Sequence, residues 1–271
     1  MGETTGIAWT DSTINFWHGC TKVGPGCDHC YAEKQDARFG PSHWGTGVAR
    51  KKIRGAIPTL HRLDNGYADW ATDYLVAKGN AAAFGLPPPS FGHKRRIFVS
   101  SMADFFDNEI DPEWRKEAWD AMKRCNRVEF QVLTKRIGNA DKMTEGDWPG
   151  HIGLMATIVN QEEADRDIHK LVEIKHGRGI PWIGLSMEPL LGPVHVPYLM
   201  DIDWVIVGGE SGPGYRSMDM AWAESIANQC REAGTAFFFK QDHGPRSGLR
   251  GRASDALWAS KAFPVTNQGE A

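Results

Sequence analysis

About seven times along this chain a short apolar run gives way to polar residues, then to a loop or a stretch of helix length. The runs are "TINFWHGC" (13–20), "RRIFVSSMADFF" (95–106), "EFQVLTKR" (129–136), "HIGLMATIV" (151–159), "PWIGLSMEPLLGP" (181–193), "DWVIVGGESGPG" (203–214) and "TAFFFKQ" (235–241). Strands that alternate with helix-length spacers build βα units around a mostly parallel sheet. Runs such as "DWVIVGG" are apolar at consecutive positions, as expected where both faces of a strand are covered. The pattern predicts an α/β fold, a partial or complete parallel (β/α) barrel, in one domain over 1–242. Residues 40–94 interrupt it with Gly, Pro and Ala and are expected to form an insertion or lid after the first unit. Residues 243–271 are expected to form a C-terminal loop and frayed tail. Some helix ends are legible: Asp111 suits an N-cap, Pro112 the first helical position, and Gly177 a C-terminal stop.

The polar breaks fall at equivalent places. Cys20, "SSMAD", "LTKR", "SMEP", "GGES" and "FKQ" all follow the apolar part of their strands. In barrels of parallel strands the C-terminal ends build the active site. Asp104, Lys135, Arg136, Glu188, Glu210 and Lys240 are therefore expected to share a pocket.

Composition narrows the partners. With 271 residues the chain is long enough for a sizeable core, and a net charge of −3 gives no global signature of a nucleic-acid binder. Three local basic clusters remain as candidate phosphate contacts: "ARKKIR" (49–54), "HKRR" (93–96) and "HGPRSGLRGR" (243–252). The insertion adds Trp44, Tyr67, Trp70 and Tyr74, which suit base stacking or the insertion's own core. No apolar run reaches membrane-spanning length and no signal-peptide pattern opens the chain, so a cytoplasmic protein without a membrane partner is expected.

Three of the five cysteines lie in "GCTKVGPGCDHCYAE", spaced Cys20-x6-Cys27-x2-Cys30. In a reducing compartment such a group reads as metal or catalytic chemistry before disulfides. Zinc would need a fourth ligand, for which His18 or His29 is available, and would make the chain a zinc-stabilised nucleic-acid-binding module without catalysis. A C-x2-C redox pair would leave Cys20 without a role. An iron–sulfur cluster is normally held by four cysteine thiolates, so three leave one iron open to an outside ligand. Cys125 and Cys230 stand apart, near the ends of helix-like stretches, and read as packed thiols.

A three-cysteine loop after the first strand of a (β/α) barrel resembles the radical S-adenosylmethionine superfamily. More closely, "IAWTDSTINFWHGCTKVGPGCDHCYAE", "FVSSMADFF", "FQVLTKR", "SMEPLLGP", "DWVIVGGESGPGYR" and "FFFKQ" are similar to a family of phage and prophage proteins with a three-cysteine motif. The resemblance runs along nearly the whole chain and is weakest in 40–94 and after 243. The six-residue first gap and His29 before the last cysteine depart from the commonest radical pattern. The resemblance implies a 4Fe–4S cluster on Cys20, Cys27 and Cys30, with S-adenosylmethionine on the open iron. It places Ser100, Ser101 and Asp104 near the amino group and ribose, and Lys135 or Arg136 on the carboxylate. Glu188, Glu210 and Lys240 are the implied catalytic residues. A flavodoxin- or ferredoxin-type electron donor is implied, and a base of phage DNA, or a modified nucleoside such as an amino-acid-decorated thymidine awaiting isomerisation, is the implied substrate. A DNA-repair lyase or a methyltransferase on the same scaffold is the other enzymatic reading.

Overall fold

A computed structural model describes residues 4–38, 40–66 and 94–264. In chain order its strands are β1 (Ser12–Ile14), β2 (Trp17–His18), β3 (Lys51–Lys52), β4 (Arg96–Val99), β5 (Glu129–Thr134), β6 (Ile152–Thr157), β7 (Ile183–Met187), β8 (Trp204–Gly208) and β9 (Ala236–Gln241). The helices are α1 (Tyr31–Asp36), α2 (Ala56–Asn65), α3 (Pro112–Arg124), α4 (Ile137–Ala140), α5 (Gln161–Arg178), α6 (Met220–Ala233) and α7 (Asp255–Ala259). Seven strands form one sheet in the order β1-β4-β5-β6-β7-β8-β9, and every pair is parallel. The sheet curls into a half-barrel. Among the described residues β1 and β9 do not pair with each other, so the barrel is partial.

Alternation along each strand separates two apolar faces. Ile97, Val99, Phe130, Val132, Leu154, Leu185, Val205 and Phe239 face outward and pack with Met122, Ile168, Leu171 and Ile226 of the helices. Phe98, Met155, Trp204, Ile206 and Phe238 turn to the concave side, where they meet Trp9 and Trp182. Gly153 serves this inner packing directly: a Cβ there would lie 2.0 Å from the Trp182 ring.

The helix caps follow from short polar side chains. The Asp111 carboxylate accepts from the Glu113 N–H at 2.9 Å, and Pro112 occupies the first turn, as the sequence suggests. Gly177 does not end α5. The helix runs to Arg178 and stops at Gly179, which takes the left-handed conformation (φ 62°). Gly177 stays inside the last turn at a propensity cost of about 1 kcal/mol.

The part of the insertion that is described is woven into the fold. β3 pairs antiparallel with β2, and α2 buries Leu60 and Leu63 in the main core. Tyr67, Trp70 and Tyr74 lie outside the described residues. Beyond 242 the chain also docks on the sheet. The Trp204 indole N–H donates to the Ala262 carbonyl at 2.9 Å, and the Arg96 guanidinium lies 3.8 Å from the centre of the Phe263 ring. Among the described residues no helix is long and apolar enough to cross a membrane.

Candidate functional site at the mouth of the half-barrel

The three-cysteine loop arches over the C-terminal ends of the strands, and glycines let it approach closely. Gly19 (φ 110°) donates its N–H to the Met102 carbonyl at 3.1 Å, and a Cβ there would lie 2.3 Å from the His43 carbonyl oxygen. At Gly26 a Cβ would meet Val159 at 2.8 Å, so the loop reaches the end of β6 only with glycine. Cys27 closes a single 3-10 turn and Cys30 is the N-cap residue of α1. Trp44, Met102 and Ala32 pack against Cys20 and Cys30.

Two buried arginines pin the start of this loop. Arg50 donates to both Asp107 (2.9 and 3.1 Å) and the Thr21 hydroxyl (2.6 Å), and to the carbonyls of His43, Gly45 and Val48. Arg136 donates to the Thr21 carbonyl at 2.6 Å and to Cys20 Sγ at 3.4 Å, and pairs with Asp104 at 3.2 Å. Asp104 also accepts from the Thr134 hydroxyl (2.7 Å) and the Lys135 N–H (2.9 Å). Burial pushes the Cys20 thiol up to about 11; the Asp104 charge adds to this and the Arg136 guanidinium opposes it.

A third clamp holds the other end. Glu210 accepts from the Arg216 side chain at 2.6 and 3.0 Å, from its backbone N–H at 2.7 Å, and meets His29 Nδ1 at 2.9 Å. Arg216 reaches Asp28 at 3.1 Å. Burial alone would raise the Glu210 carboxyl, but the bonds from Arg216 and His29 outweigh it and hold it down to about 2.

Below the loop lies a cavity of about 680 Å³. Cys20, Cys27 and Cys30 line it together with Ser100, Ser101, Lys135, Glu188 and Lys240. Asp104, Arg136 and Glu210 are not part of its wall; they brace the cysteine loop from behind. Lys240 Nζ donates to Glu188 Oε2, and Lys135 Nζ reaches the Thr157 hydroxyl at 3.3 Å. Among the described residues three atoms of the lining side chains are buried without a hydrogen-bond partner: Trp9 Nε1, Ser100 Oγ and Glu188 Oε1. Unpaired polar atoms in a cavity wall are costly unless water or a ligand meets them.

The residues present suit a metal-bearing cofactor. Three free thiols lining the cavity are soft ligands of the kind that select iron–sulfur clusters or zinc, and the space beside them carries hydrogen-bonding atoms without partners among the described residues. Among the described residues no three His, Cys, Asp or Glu side chains form a group that chelates a single ion as they stand.

Sequence reasoning missed Arg50, Asp107 and Arg216. Arg50 sits in a basic cluster and reads as surface, yet its side chain is 1 % exposed. Thr157 and Ser186 also line the cavity, and a hydroxyl residue inside an apolar strand is the signal that could have exposed them. Each basic cluster has a member held in an ion pair. Lys52 pairs with Glu117, Arg96 is buried against Asp11, and Arg252 pairs with Asp242.

Fold and site define a partial (β/α) barrel protein with a cysteine-lined mouth. The chain belongs to the DUF5131 family, described as protein of unknown function, whose model matches residues 4–257. No curated protein and no solved structure matches the chain.

Proposed function

We propose that this chain is a radical S-adenosylmethionine enzyme that modifies a nucleobase of DNA or a modified nucleoside, supplied with electrons by a flavodoxin- or ferredoxin-type donor. One observation carries the reading: Cys20, Cys27 and Cys30 line a single cavity at the C-terminal mouth of a partial barrel together with Ser100 Oγ and Glu188 Oε1, which have no hydrogen-bond partner among the described residues.

Cys20, Cys27 and Cys30 would hold the 4Fe–4S cluster. A cluster held there would supply one electron for reductive cleavage of S-adenosylmethionine, the source of the radical chemistry. Lys135 offers its ammonium to the methionyl carboxylate, and Ser100 and Ser101 offer polar atoms to the amino group and ribose. Arg136 and Asp104, assigned to S-adenosylmethionine by resemblance, serve instead to orient Cys20. Glu188 and Lys240 face the substrate as a carboxylate–ammonium pair able to hold or move a proton at Glu188 Oε1. Glu210 keeps Cys27 and Cys30 in place through His29 and Arg216. A cavity of this size admits a nucleoside and not a duplex, so a base in DNA would enter flipped out.

Anaerobic reconstitution with iron and sulfide, followed by reduction with S-adenosylmethionine, tests the reading. Wild type is expected to release 5′-deoxyadenosine and Cys27→Ala to release none. A colourless protein holding one zinc ion would replace the enzyme with a metal-stabilised binding module.

A further inference from the structure

We propose that Arg246 and the arch that carries it form an anion-binding site at the rim of the cavity, taking a phosphate or carboxylate group of the ligand. The starting point is charge. The chain carries −3 overall, yet the cavity is lined by Lys22, Lys135, Lys240 and Arg246 against one carboxylate, Glu188. Lys22 is paired with Glu33 at 2.9 Å and Lys240 with Glu188. Arg246 is exposed and makes no hydrogen bond or ion pair among the described residues.

The arch beneath it, residues 242–252, is fixed at both feet. Asp242, 2 % exposed, accepts from the Arg252 backbone and side chain at 2.9 Å, while its own N–H donates to the Leu249 carbonyl at 2.9 Å. Gln241 accepts from the Gly248 N–H at 2.8 Å and donates to the Gly209 carbonyl at 2.9 Å. Gly244 bonds in both directions with the turn after β8, donating to the Glu210 carbonyl at 3.0 Å and accepting from the Gly212 N–H at 2.9 Å. Close approach is obligatory there, since a Cβ on Gly209 would lie 2.3 Å from the His243 nitrogen. Only the crown, Pro245 to Ser247, stands free over the cavity. A guanidinium held over a cavity with its donors unmet by protein suits a planar oxyanion, which it binds through two parallel hydrogen bonds.

This deepens the proposed function by naming a charged group on the ligand. Its test needs no iron, so a failure here leaves the cysteine chemistry standing, and a failure there leaves this site standing. Inorganic phosphate and succinate are each titrated calorimetrically into the full chain, into Arg246→Gln and Arg246→Lys, and into Lys51→Ala, an exposed cation outside the cavity. Wild type and Lys51→Ala are expected to bind alike, Arg246→Gln about 10- to 100-fold more weakly, and Arg246→Lys between them. Preference for phosphate marks a phosphoryl group on the ligand, and preference for succinate a carboxylate. Equal binding by wild type and Arg246→Gln, equal loss in Lys51→Ala, or no binding of either anion by wild type overturns the proposal.

Discussion

The concave face of the half-barrel holds two chemistries stacked along the same strands. The lower half is an aromatic floor. Trp204 lies 6.2 Å from Trp9, 6.0 Å from Trp182 and 5.4 Å from Phe263 between ring centres, and Trp9 lies 4.7 Å from Phe98. The upper half is polar and hollow. Two residues further along the same inward register, Met155 becomes Thr157 on β6, Gly184 becomes Ser186 on β7 and Phe238 becomes Lys240 on β9. One period of the pleat, about 7 Å, therefore separates atoms that hold the fold from atoms available to a ligand. Stability and function are divided along the strand axis, as expected where a rigid scaffold supports an under-satisfied site.

Substitutions sharpen or break that division. The largest effect is expected for Trp204→Ala, which hollows the floor and should cost about 3–5 kcal/mol in chemical denaturation. A cost below about 1 kcal/mol would mean that the floor is not the stabilising half. Asp107→Asn probes an exception, because this residue serves the mouth yet neutralises buried Arg50 and lies 3.6 Å from Arg136. Leaving those guanidiniums undercompensated should cost about 2–3 kcal/mol and raise the alkylation rate of Cys20. Unchanged stability would show that the arginines find other partners.

Glu129 sits at the lower end of β5, in register with Arg96, and burial pushes its carboxyl up to about 7, with the Asp11 charge adding to this. The folded state then holds a proton that the unfolded chain has lost from 4.5 upward, so stability falls as pH rises through that window and stays lowered above about 7. Relative to Glu129→Gln, wild type should lose about 3 kcal/mol across this range, a size set by 1.36 kcal/mol per pH unit. Parallel stability–pH curves for the two proteins would refute the assignment. The smallest stability effect is expected for Ser100→Ala, which removes a hydroxyl that has no partner among the described residues. Its melting temperature should move by less than about 0.5 kcal/mol allows, while S-adenosylmethionine binding weakens. A clear loss of stability would place the hydroxyl in the scaffold instead.

The repeat of apolar runs was enough to anticipate the parallel sheet, because both faces of every inner strand need apolar residues. The cysteine spacing was enough to single out the loop over its mouth. Helix starts were legible at Asp111, where capping is local; the end of α5 was misplaced by two residues, since two glycines stood close together and only one takes the left-handed turn.

What the sequence by itself determined is therefore whatever depends on neighbours in the chain: period, caps, and the grouping of three thiols. Only the tertiary structure decided which charged residues face the cavity. Lys135 lines it and Arg136, its neighbour, turns back to Cys20; Glu188 lines it and Glu210 clasps Arg216. The physical reason is that a charge settles where its counter-charge lies: Asp104 and Asp107 reach Arg136 and Arg50, and His29 reaches Glu210, only when distant parts of the chain fold together, while Arg216 meets Glu210 across a local turn.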